Sequence, residues 1–144
     1  MRKAILAGLF ALFISVASLA FAGTRFEAAA WQEACEKSRY SCEGLSRPVV
    51  EYDETGLEGG LWGYYMLGTR VVFLSTGLKP GQEYAVLVHE MVHYLQYSDY
   101  KRHPNVVLDR CTAEREAFEV SDQVLKRLGL PELARNGDLD NYGC

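Results

Sequence analysis

The stretch Tyr84 to Tyr97 (YAVLVHEMVHYLQY) constrains the fold of this chain most, because its only side chains able to carry charge near neutral pH are His89, Glu90 and His93. At roughly 100° per residue, Leu87, Val88, Met91, Val92, Tyr94 and Leu95 cover most of a helical circumference, which predicts a buried central helix from about Glu83 to Tyr97. Burying two imidazoles and a carboxylate costs several kcal/mol unless they are paired or hold a metal ion. Residues four apart share a helix face, so His89 and His93 can present ring nitrogens to one ion at about 2.0 to 2.1 Å. Glu90 points to the side, where its carboxylate can reach a water beside that ion without becoming a ligand. The competing reading is two core histidines hydrogen-bonded to backbone or a nearby acid, with a surface glutamate.

Residues 1–22 have the three parts of a secretory signal peptide: basic Arg2 and Lys3, an apolar run from Ala4 to about Leu19, and the small-residue site Ala20-Phe21-Ala22. We therefore expect a mature chain of 23–144, about 122 residues, enough for one domain with a single core. No cysteine directly follows the cleavage site and no later apolar run is long enough to span a bilayer, so the expected location is extracytoplasmic, periplasmic or secreted. Removing Arg2 and Lys3 from 15 basic residues leaves 13 against 19 acidic, a net charge near −6. That balance disfavours nucleic acid and anionic membranes as partners. Cys35, Cys42, Cys111 and Cys144 make an even count, which in an oxidising compartment predicts two disulfides. Of the three pairings we favour Cys35 with Cys42, closing the loop after a first helix, and Cys111 with Cys144, tying the tail to the last long helix.

Thr24-Arg25-Phe26-Glu27 fits a capping box ahead of a helix from about Arg25 to Lys37. Residues 48–54, 61–67 and 70–75 are rich in β-branched and aromatic residues, with Gly59-Gly60 and Gly68-Thr69 as turn signals, and read as a small antiparallel or mixed sheet. The polar stretch SDYKRHPN then separates the His-Glu-His helix from a last long helix, about Asp109 to Leu128, ended by Gly129 and Pro131. Strands followed by two packed helices predict an α+β domain.

A catalytic zinc needs three protein ligands and an open position. Asp99, six residues after His93, occupies the third-ligand position of the metzincin pattern, but Gln96 replaces the glycine that lets that chain turn back, so we reject it. His103, beside Pro104, reads as an exposed residue or a hydrogen-bond donor rather than a ligand. The last helix offers Glu114, Glu116 and Glu119. Its core stripe runs through Ala113, Ala117, Val120, Val124 and Leu128, with Ser121 and Leu125 beside it. Glu114 falls roughly 40° from the centre of that face, Glu116 roughly 120° away and Glu119 opposite. Only Glu114 faces the core, and Glu116 and Glu119 read as a solvated face.

With VLVHEMVHYL at 86–95 and EREAF at 114–118, the chain resembles gluzincin-type zinc metallopeptidases, in which H-E-x-x-H is followed on a second helix by a ligand glutamate; it is also similar to short secreted zincin-like proteins whose function is not characterised. The resemblance spans about residues 60–125 and implies a minimal zincin-like fold, with an edge strand above the active-site helix. It also implies one Zn²⁺ per chain on His89, His93 and Glu114, and a peptide or protein substrate. Phe118 stands where that family often has an acid bracing a histidine ligand. The activity expected is a zinc-dependent metallopeptidase in which activated water attacks a peptide carbonyl, with Glu90 as general base. Tyr97, Tyr100 and His103 are candidate donors to the developing oxyanion. Trp62, Tyr64 and Tyr65 can line a cleft, although aromatics in a short sheet usually serve the core. A monomer is expected. The alternative is a non-catalytic, disulfide-stapled binding protein or inhibitor with a structural or relic zinc site, favoured by the small size and the missing acid.

Overall fold

A computed structural model describes residues 26–54, 57, 61–134 and 143–144; the expected signal peptide, its cleavage site and the Thr24 capping box lie outside them. The order is a helix α1 over residues 26–37, strands β1 (Val49–Asp53), β2 (Gly63–Tyr65) and β3 (Val71–Ser75), helices α2 (Pro80–Arg102) and α3 (Arg110–Arg127), and a 3₁₀ turn at Pro131–Leu133. The architecture is α+β, as the order of strands and helices predicts.

The sheet is mixed. β1 runs parallel to β3, and β2 pairs antiparallel on the other side, giving the order β1-β3-β2. The hairpin from β2 to β3 turns at Gly68, whose φ of 80° lies in the left-handed region open to glycine. β3 becomes central because its sequence VVFLS can be covered on both faces. Val72 and Leu74 are fully buried toward the helices, while Phe73 stacks on Tyr64 on the far face at 4.8 Å. A reading by local pairing favours antiparallel neighbours; the observed order instead puts β1 and β2 on opposite sides of β3.

α2 is longer than its apolar stretch. It begins at Pro80, where a missing N–H costs nothing, and the Gln82 side chain accepts the Lys79 backbone N–H at 3.2 Å. The polar residues Ser98 to Arg102, expected as loop, remain helical, and α2 stops at His103, the residue before Pro104. Polarity marks a solvated face there, not a break. Within α2, Leu87, Val88, Met91, Val92 and Leu95 are essentially inaccessible, each contributing about 1.5 to 3 kcal/mol from burial. α3 starts at the Asp109 cap, whose carboxylate accepts the Thr112 N–H at 2.8 Å, and packs Ala113, Ala117, Val120 and Val124 inward. Leu128, included in the core stripe by phase, caps α3 and is exposed.

α1 covers the remaining side of α2. Ala30 and Ala34 are buried, Trp31 packs on Tyr94 at 5.9 Å, and Glu33 accepts bonds from Tyr84 Oη at 2.9 Å and from Arg127 Nη2 at 2.7 Å. Both disulfides follow the favoured pairing, Cys35–Cys42 and Cys111–Cys144. Two disulfides fit an oxidising, extracytoplasmic environment. No helix among the described residues is long and apolar enough to cross a membrane.

Candidate metal centre

α2 and α3 bring three ligand-type atoms to one point. His89 Nε2 and His93 Nε2 lie 3.0 Å apart, and Glu114 Oε2 is 3.4 Å from each. Metal–ligand bonds of about 2.0 to 2.1 Å at tetrahedral angles set ligand atoms roughly 3.3 Å apart, within a few tenths of an ångström of all three separations. The chemistry of the set agrees. Glu114 Oε2 is buried and makes no hydrogen bond among the described residues, while two imidazole nitrogens face it. Three such atoms around one point call for a positive charge between them. His89, His93 and Glu114 can therefore hold a metal ion. The helical phase that singles out Glu114 from its neighbours is reproduced.

Glu90 is 6% exposed and His89 7%. Burial holds the Glu90 carboxyl above its usual range, with the nearby Glu114 adding to the rise, and His89, His93 and the Tyr65 backbone N–H offset it only in part. Burial also opposes ionisation of Glu114, but the two imidazoles outweigh it and hold that carboxyl well below the usual range. For His93, burial favours the neutral ring and is outweighed by Glu114, Glu90 and Gln96, which raise it. These opposed shifts on neighbouring groups mark a site where protonation and cation binding compete.

The edge strand β2 lies directly over Glu90. A Cβ built on Gly63 would sit 2.7 Å from Val86 Cγ1, 3.0 Å from the Phe73 carbonyl and 3.1 Å from Glu90 Cγ. Only a hydrogen fits between strand and helix. Gly63→Ala is expected to destabilise the chain by about 1 to 3 kcal/mol through overpacking, measured as a shift of the denaturant midpoint. An unchanged midpoint would show that β2 is not held this tightly. Beside Glu90 and His89 opens a cavity of about 50 Å³, walled by Leu61, Trp62, Val86, Phe118, Leu125 and Leu133, with Ser121 and Asp122. Trp62 serves this cavity, Tyr65 the core, and Tyr64 the far face of the sheet.

Comparison with protein-family models, with curated proteins and with solved structures finds no match to this chain. The functional reading therefore rests on the site's own geometry.

Other sequence candidates lie elsewhere. Tyr97 packs against the rings of Tyr65 and Tyr100, Tyr100 is exposed, and His103 caps α2 with its Nδ1 3.1 Å from Asp99 Oδ1. Asp99 turns to that exposed pair rather than to the histidines. Phe118 lays its ring 4.5 Å from the His89 ring. Glu119 is exposed as expected, but Glu116 is not simply solvated: it receives Tyr40 Oη, Arg39 Nη2 at 2.8 Å and Gln96 Nε2 at 3.3 Å. Its phase points away from the core of α2, yet the loop closed by Cys35–Cys42 covers it, a tertiary fact outside helical periodicity. Sequence reasoning misses two polar residues. Asp122, roughly 120° from the stripe centre, is nonetheless 4% exposed at the cavity. Gln96, 1% exposed, bonds His93. Its position within the apolar run of α2 is the one signal that points to it.

Proposed function

We propose that this chain is an extracytoplasmic zinc-dependent peptidase of minimal zincin-like form. The observation that supports it best is the triangle of His89 Nε2, His93 Nε2 and Glu114 Oε2 with buried Glu90 beside it. Three ligands leave a coordination position open, the arrangement of catalytic rather than structural zinc, and no fourth ligand joins the group among the described residues.

A zinc ion held there supplies a Lewis acid and makes a water nucleophilic near neutral pH. Glu90 would accept a proton from a water attacking a peptide carbonyl and return it to the leaving amine. Its burial, which raises its proton affinity, suits both halves of that transfer. The Tyr65 backbone N–H, on the edge strand, favours the charged form of this carboxylate. The apolar cavity next to Glu90 and His89 takes a hydrophobic side chain and keeps bulk water from the reacting groups.

The test is zinc content and turnover of the same preparation. Chelator-free purified protein is expected to carry about one zinc per chain and to cleave casein or a mixed peptide library. Absence of zinc removes the site assignment. Zinc-loaded protein with no turnover of any peptide would favour a binding role instead.

A further inference from the structure

We infer that Gln96 is the positioning residue of this centre, setting the tautomer of His93 and the spacing between the two helices that supply the ligands. The inference rests on the metal-site reading above but stands on separate contacts. The amide of Gln96 has a determinate orientation. One end lies 2.9 Å from the Ala113 carbonyl and 3.3 Å from Glu116 Oε2, a carbonyl and a carboxylate that Arg39 also pairs, so the donating Nε2 belongs there. The other end, Oε1, is then left 2.8 Å from His93 Nδ1. An amide oxygen only accepts, so Nδ1 carries the proton. That leaves the lone pair of neutral His93 on Nε2, the atom facing His89 and Glu114.

The same side chain joins the two helices. Ala113 immediately precedes Glu114, so one fully buried amide ties the helix of His93 to the turn of α3 that carries the third ligand. Its outer partner is itself held: Glu116 receives Tyr40 and Arg39, which lie inside the loop closed by Cys35–Cys42. The chain of contacts runs His93, Gln96, Glu116, Tyr40, from the ligand to the disulfide loop. This brace occupies the role left open by Phe118, but on the other histidine and from the same helix. Ligand-orienting groups of this kind are worth about 10- to 100-fold in metal affinity.

The experiment compares wild type and Gln96→Met, each in the full chain. Methionine keeps the volume and removes both the acceptor for His93 and the donor to the Ala113 carbonyl. Zinc affinity by chelator competition is expected to fall about 10- to 100-fold in the methionine variant. In parallel, nitrogen-15 spectra of the metal-free wild type at alkaline pH are expected to show neutral His93 protonated on Nδ1. Wild-type affinity in Gln96→Met overturns the inference, as does a wild-type His93 protonated on Nε2. The tautomer measurement decides even if the methionine variant does not fold. A wild type that binds no zinc yet shows the Nδ1 tautomer sinks the proposed function and leaves this hydrogen bond standing.

Discussion

Glu114→Ala is expected to weaken zinc binding by about two to three orders of magnitude, while Glu116→Ala costs at most the share of an outer brace. Structural zinc sites with four ligands bind with roughly 10 to 16 kcal/mol, so one ligand accounts for about 2.5 to 4 kcal/mol, and each 1.4 kcal/mol is tenfold. Glu114 Oε2 is one of three atoms in the triangle, whereas Glu116 reaches the site only through Gln96. Competition with a chromogenic chelator resolves that difference. Equal losses, or a larger one for Glu116→Ala, would show that α3 presents another face to α2 in solution.

Glu90→Gln is the second large effect, and it should separate chemistry from binding. Glutamine keeps the size of the side chain and can accept the Tyr65 N–H, so the fold and the three ligands are undisturbed. It cannot take a proton from the attacking water. The expected result is retained zinc and a kcat/KM reduced by about 10²- to 10⁴-fold, the usual contribution of a general base. Loss of zinc in this variant would mean that Glu90 is itself a ligand, and full activity would mean that another group moves the proton. The two substitutions form a pair: one removes the ion and the other leaves it idle.

Much of the site is legible in the sequence alone, and the reasons are local. HEMVH on an apolar helix gives its spacing and burial directly, and the phase of α3 separates Glu114 from Glu119 because both follow from a 3.6-residue turn. The cysteine pairing is legible because one close pair leaves the other two as partners. What is not legible depends on contacts between distant segments. The parallel pairing of β1 with β3, the burial of Asp122 and the cover over Glu116 come from elements meeting in space. Gln96 illustrates the limit best. Its sequence position excludes one zinc pattern, but its bond to His93 depends on an α3 carbonyl 17 residues away.

The burial of the middle of α2 has a further consequence for how the three ligand groups behave without an ion. Leu87, Val88, His89, Glu90, Met91, Val92, Leu95 and Gln96 are held between sheet, α1 and α3, so their amides have no local opening route and should exchange with solvent only as fast as the whole domain unfolds. A chelator should therefore strip the metal while leaving the slowest-exchanging amides in place. A metal ion would then enter a socket already formed in the folded chain.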